Sequence, residues 1–160
     1  MEHVIFDAET ERPDGWEMVS DRVMGGVSNG ALAVEQVGGR PALHLTGTVR
    51  LENDGGFLQM ARDLDPADGW DGMSLTVFGN GESYNLHLRT QDLSRPWQSF
   101  RATFTAPAAW TTHRIAFADL TPHRTDASFD PKALSRMGLV AIGRAFRADL
   151  ALAHASLWRR

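Results

Sequence analysis

Ser28, in the run "GGVSNG" (Gly25 to Gly30), is a side chain that could act as a nucleophile. Acyl transfer would need a base beside it and the G-x-S-x-G elbow that aims the hydroxyl. Gly26-Val27-Ser28-Asn29-Gly30 matches the letters of that elbow, but a strand-like run follows it where an elbow opens a helix, and no base can be assigned from spacing. His44, His87 and His113 each fall in strand-like segments, with His123 and His154 elsewhere. No pair has the i, i+4 helical spacing of a zinc protease. A metal would require His44 and His87 to meet across a sheet. The alternative for each is a hydrogen-bonded surface histidine. Turn oxygens in "ENDGG" (Glu52 to Gly56) and "DPADGWDG" (Asp65 to Gly72) have the chemistry calcium takes, as do ordinary turns. No metal and no cofactor is assigned.

The stretch "SDRVMGGVSNG" (Ser20 to Gly30) resembles a phosphate cradle only superficially. A phosphate loop places lysine and Ser/Thr at the mouth of a helix. Here there is no lysine, and "ALAVEQV" follows with strand character. Two readings stay open. One is a hairpin or bulged loop in which Gly25 and Gly26 supply unusual dihedrals. The other is an exposed recognition loop, because Asp21, Arg22 and Met24 are odd choices for a turn alone.

These residues must be carried by short strands. "ALHLTGTV" (Ala42 to Val49) sets Leu43, Leu45 and Val49 against His44, Thr46 and Thr48. "SYNLHLRTQ" (Ser83 to Gln91) sets Tyr84, Leu86 and Leu88 against Asn85, His87, Arg89 and Gln91. "WQSFRATFT" (Trp97 to Thr105) alternates in the same way, and "WTTHRIAF" (Trp110 to Phe117) is a further candidate. Such alternation marks half-buried strands. "GNG" (Gly79 to Gly81) predicts a hairpin between "MSLTVF" and "SYNLHL". "VGGR", "NDGG" and "DPADGWDG" mark further turns. One short helix is expected near 131–137, with Asp130 as cap, Pro131 at the first position and Gly138 past the end. Many short strands with frequent turns imply an all-β sandwich or barrel.

Pairing the strands would gather Asn85, His87, Arg89 and Gln91 with Trp97, Ser99 and Arg101 on one polar face. An aromatic plane among Arg, Asn and Gln suits a sugar. An antiparallel sheet with one wet face looks the same.

The bulk composition narrows the classes. The chain has 160 residues and no cysteine, which excludes thiolate chemistry and disulfide scaffolding. Sixteen Lys+Arg against twenty Asp+Glu give a net charge of −4, with no basic run to support nucleic-acid binding. The acidic N-terminal stretch has no signal-peptide pattern, and no apolar run approaches the ~20 residues of a membrane helix. A soluble, cytoplasmic, one-domain protein spanning 1–160 is expected.

Taken in order, "SDRVMGGVSNG", "GTVRLENDGGFLQMAR", "DGWDGMSLTVFGNGESYNLHLRT", "WQSFRATF", "WTTHRIAFADLTP" and "MGLVAIG" resemble the complex I intermediate-associated protein 30 family. The resemblance runs from about Trp16 to Trp158. It implies a jelly-roll β-sandwich of the galactose-binding-domain-like type, akin to carbohydrate-binding modules. It also implies a non-enzymatic, chaperone-like assembly factor that binds a protein partner such as respiratory complex I subunits or intermediates, here as a bacterial member. The signature positions it implies are Asp21, Arg22, Met24, Gly25, Gly26 and Ser28, with Asn53, Gly55, Gly56 and Phe57. The alternative is a carbohydrate-binding module using Asn85, His87, Arg89, Gln91, Trp97 and Arg101.

Overall fold

The computed structural model describes residues 1–12 and 15–160, with every side chain among them except those of Met24 and Asp54. Twelve strands run through the described residues. They are β1 (Glu2–Asp7), β2 (Glu17–Ser20), β3 (Asn29–Val37), β4 (Arg40–Val49), β5 (Phe57–Asp63) and β6 (Gly72–Phe78). The rest are β7 (Ser83–Thr90), β8 (Ser99–Thr105), β9 (Thr111–Ala116), β10 (Thr121–His123), β11 (Leu134–Ile142) and β12 (Phe146–Trp158). They form two antiparallel sheets. The first has the order β3-β4-β12-β6-β9, with β1 also paired to β12; the second is β10-β8-β7-β11-β5-β2.

The core lies between the sheets and follows the alternation of the sequence. Leu43, Leu45, Met73, Leu75, Val77, Leu150 and Leu152 come from the first sheet, and Leu58, Met60, Tyr84, Leu86, Leu88 and Leu139 from the second. All are at most 1% exposed. Each fully buried side chain of this kind contributes about 1.5–3 kcal/mol relative to exposure.

Two local expectations are corrected. The "GNG" turn does not make a hairpin, because β6 pairs with β12 and β9 whereas β7 pairs with β11 and β8. The turn is a crossover between sheets. Gly81 uses its positive φ of 84°, and Gly79 and Gly81 donate to Pro107 and Ala106 of the β8–β9 connection, both at 2.8 Å. Asn80 Nδ2 donates to the Arg147 carbonyl at 2.9 Å, and the Tyr84 hydroxyl donates to Asn80 Oδ1 at 2.6 Å. The tight hairpin is instead β3–β4, where Val37 faces Arg40 and both Gly38 and Gly39 have positive φ. That is the twist a two-residue hairpin needs.

The helix starts as expected and then stops. Asp130 accepts from the Lys132 amide at 3.0 Å and Pro131 opens the turn, but only Pro131–Ala133 is helical, as a 3-10 turn. Leu134 begins β11, which hydrogen-bonds β5 and β7 on its two sides. Two ladders and a buried Met137 and Leu139 outweigh a capped fragment of two turns. Gly138 is therefore mid-strand. Three further 3-10 turns, Asp21–Met24, Glu52–Asp54 and Phe117–Asp119, carried no helical signal. No helix among the described residues is long and apolar enough to cross a membrane.

Candidate functional site

Asp21 opens the 3-10 turn between β2 of the second sheet and β3 of the first, and it is completely buried. Its Oδ1 accepts from the Ser28 amide at 2.9 Å. Its Oδ2 accepts from the amides of Gly56 at 2.6 Å and Phe57 at 3.3 Å, and the Ser28 hydroxyl donates to the same oxygen. Ser28 Oγ in turn accepts from the Arg50 amide at 2.8 Å. One carboxylate thus ties the loop after β2 to the loop before β5.

The glycines follow from this packing. A Cβ on Gly26 would lie 2.5 Å from Asp21 Cγ, and one on Gly55 would lie 2.6 Å from Asp21 Oδ2. Gly25 closes the turn at φ 85°. Asn53, itself at φ 59°, donates from Nδ2 to the Gly25 carbonyl at 3.1 Å, a second tie between the loops. Arg22 Nε donates to the Ser28 carbonyl at 3.0 Å. Burial alone would raise the Asp21 pKa, but the hydrogen bonds from Ser28, Gly56 and Phe57 outweigh it and hold the group below the ordinary value.

Asp21, Gly26, Ser28 and Gly56 are buried and Phe57 is half-buried, whereas Arg22 and Asn53 are exposed. The Met24 side chain lies outside the described residues. Two residues that motif reading missed stand out at the clasp: Val23 is 74% exposed and Leu51 is 50% exposed. Their only sequence signal is an apolar side chain inside a polar loop.

The second candidate region is the outer face of the second sheet. Asn85, His87 and Arg89 of β7 share this face, and Arg101 of β8 stands opposite His87. Arg89 Nη1 donates to the carbonyls of Arg95 and Gln98, both at 2.7 Å, and so holds the loop that presents Trp97. The strand expected from Trp97 begins only at Ser99, which leaves Trp97 in that loop and 56% exposed. Gln91 sits in the turn after β7, where its amide donates to the Ala133 carbonyl.

The sequence reading also missed Thr103, Thr121, His123 and Arg124 beside this face, and Gly138, over which the Gln59 side chain lies. His87 Nε2 is buried and without a partner. Burial, then the positive charge of Arg101 and His123, pushes the His87 pKa down to about 3. Burial followed by Arg124 lowers Arg101, and burial followed by Arg136 lowers Arg89. The charged neighbours acting on these groups are all cationic. A cavity of about 540 Å³ opens beside Arg101, lined by residues of β7, β8 and β9.

His44 and His87 do not meet, because β4 and β7 belong to different sheets. His44 is held by Asp149 at 2.6 Å and Glu35 at 3.0 Å. Burial opposes its protonation, but these two carboxylates raise its pKa overall. Among the described residues, no three His, Cys, Asp or Glu side chains are grouped to hold a metal ion.

The same jelly-roll sandwich occurs in solved structures. The family 11 carbohydrate-binding module of a cellulosomal cellulase of Clostridium thermocellum superposes with a TM-score of 0.81 at 11% identity, covering 100% of this chain and 95% of that one. The same kind of module in complex with a beta-1,3-1,4-mixed-linked tetrasaccharide gives 0.79 at 12% identity, with 98% and 95% coverage. A family 30 module from that organism gives 0.70 at 16%, covering 98% and 96%. At such identities the likeness establishes the galactose-binding-like jelly-roll fold. No curated protein matches the chain significantly. The family model of complex I intermediate-associated protein 30 matches residues 5–152, a span that holds the clasp, both sheets and most of β12, so the chain belongs to the complex I intermediate-associated protein 30 family.

Proposed function

We propose that this chain is a non-catalytic, chaperone-like binding module that engages a protein partner during assembly of a respiratory complex. The observation that carries this reading is the clasp. A buried carboxylate fixes two signature loops and leaves Arg22, Val23, Leu51 and Asn53 facing solvent. Apolar side chains held outward on a rigid turn suit a contact surface, because few rotamers remain to be ordered on binding. In this reading Asp21, Gly26, Ser28 and Gly56 support the contact, and Val23 and Leu51 make it. Affinity capture from detergent-solubilised respiratory membranes tests it. The wild type is expected to enrich complex I subunits, and Val23→Glu with Leu51→Glu to lose them while melting at an unchanged temperature. Capture that ignores both substitutions removes the clasp from the contact; capture without respiratory subunits ends the assembly reading.

A second reading is carbohydrate binding on the outer face of the second sheet. It is favoured by the placement of Asn85, His87, Arg89 and Arg101 on one face with Trp97 exposed at its margin. A neutral-glycan array read with and without Trp97→Ala tests it.

A further inference from the structure

Asn85 and Thr103 face each other on β7 and β8, and the Thr103 hydroxyl donates to Asn85 Oδ1 at 2.7 Å. That bond uses the amide's acceptor, and its Nδ2 has no partner among the described residues. Two residues along the same face, Arg101 spends its Nε on Ser99 Oγ at 2.8 Å. Its two terminal Nη groups have no hydrogen-bond or ion-pair partner among the described residues. Arg124 is close enough to depress Arg101 electrostatically, so the positive charge here is doubled rather than compensated.

These free donors line the cavity of about 540 Å³, which reaches from β8 to Ile115 of β9 and has Thr121 and Asp119 in its lining too. The Arg114 guanidinium, also in the lining, stacks 4.0 Å over the Trp158 ring, a face contact that leaves its in-plane N–H groups able to donate. Apart from the Asp119 carboxylate and the Thr121 hydroxyl, the uncommitted polar groups of these side chains are the donors of Arg101, Asn85 and Arg114, and together they suit an acceptor-rich anion that also carries hydroxyls. The guanidinium fork matches carboxylate and phosphate geometry alike, and the Asp119 carboxylate in the same lining disfavours the more highly charged phosphate. The volume is within the range of small-molecule sites, more than a single acidic side chain needs. Asp119 in the lining can accept from a ring hydroxyl, which a carboxylated sugar offers and an acidic side chain does not.

We infer that this cavity binds a carboxylated sugar, a uronate, with its carboxylate on Arg101 Nη and Asn85 Nδ2 and its ring hydroxyls toward Thr121 and Asp119. The inference rests on the second reading above and narrows it. The sugar is acidic, and it sits at the flank between the sheets rather than over Trp97.

Isothermal titration of the full chain with trigalacturonate, the neutral galactotriose and hexaglutamate tests it. Trigalacturonate is expected to bind at least about tenfold more tightly than galactotriose, the worth of one charge-assisted hydrogen bond. Arg101→Met should weaken it by a similar factor. Asn85→Asp should do the same while retaining the Thr103 bond, and it serves if Arg101→Met fails to fold. Equal binding of both sugars overturns the inference and leaves the carbohydrate reading standing. Binding of neither sugar overturns the inference and leaves the carbohydrate reading to the neutral-glycan array. Binding of hexaglutamate alone replaces the sugar with an acidic peptide and overturns the inference.

Discussion

The carboxylate of Asp21 and the amide of Gly56 are 35 residues apart in sequence and 2.6 Å apart in space. This bond, with those from Ser28 and Phe57, makes one side chain the fastener of two loops. Asp21→Asn replaces an acceptor oxygen by a donor that faces backbone N–H groups. The loss is expected to be about 2–4 kcal/mol, because buried donors are left unsatisfied around it. Urea unfolding of the variant checks this, with the wild type as reference.

Acid should loosen the same fastener. Asp21 has a folded pKa below its unfolded value, so its contribution is present above the unfolded pKa of about 3.9 and is lost as pH falls through the folded one. Stability curves below about pH 4 should therefore be steeper for the wild type than for Asp21→Asn. Parallel curves would assign the acid limb to other groups.

Two histidines should push stability in opposite directions with pH. His87 is held neutral, with a folded pKa of about 3 against about 6.5 unfolded, so the unfolded chain takes up a proton that the folded chain refuses. Stability then falls as pH drops from about 6.5 toward 3, with a slope of up to about 1.4 kcal/mol per pH unit, and His87→Gln should flatten it. His44 is raised by Asp149 and Glu35, so its contribution is complete below about 6.5 and is lost as pH rises through the folded pKa. His44→Gln should cost more at pH 5.5 than at pH 9. Thermal melts across that range read both effects.

The glycines divide by what stands in front of them. On Gly55, a Cβ would press on Asp21 Oδ2, which is fixed by its hydrogen bonds, and Gly55→Ala should cost about 1–3 kcal/mol. On Gly138, the obstacle is Gln59 Oε1 at the end of a flexible side chain, and Gly138→Ala should stay within about 0.5 kcal/mol of wild type. Equal losses at the two sites would mean that Gln59 is as fixed as Asp21.

Tyr84 pins the crossover after β6. Its hydroxyl donates to Asn80 and accepts from the Asp149 amide at 3.0 Å, and burial raises its pKa to about 12. Tyr84→Phe keeps the ring in the core but strands both partners. A loss of about 1–3 kcal/mol is expected, together with faster hydrogen exchange at the Asp149 amide.

What could be read in advance follows the range of the forces involved. β4 and β7 were visible because each alternates apolar and polar residues against one core, which is a local property. The "GNG" turn misled because an Asn-Gly pair reports a tolerance for positive φ, not which strands pair across it. "DPKALSRMG" misled because its cap is genuine, while the two ladders that turn Leu134 onward into strand come from distant β5 and β7. "FRADLALAHASLW" hid the longest strand, since its alanines are buried on both faces and leave little alternation. At the clasp, the resemblance picked out Asp21 and Gly56 by type. No spacing rule could have joined them, nor shown that Val23 and Leu51 would face outward. On the polar face, Arg101 was expected, but the commitment of Asn85 Oδ1 to Thr103 is visible only in three dimensions.

The placement of β12 bears on how the chain folds while it is being made. Along one side it pairs first with β4, through Phe146–Leu152, and then with β1, through His154–Trp158; along the other it pairs with β6. Every strand of the second sheet precedes β12 in the chain and so emerges from the ribosome before it, whereas β1, β4 and β6 wait for that later strand. During that interval their edges carry rows of unpaired N–H and C=O groups, open to strands of a neighbouring nascent chain. Emergence from N- to C-terminus thus favours an order in which the sheet with the polar outer face is complete first and the sheet that seals its apolar side closes with β12.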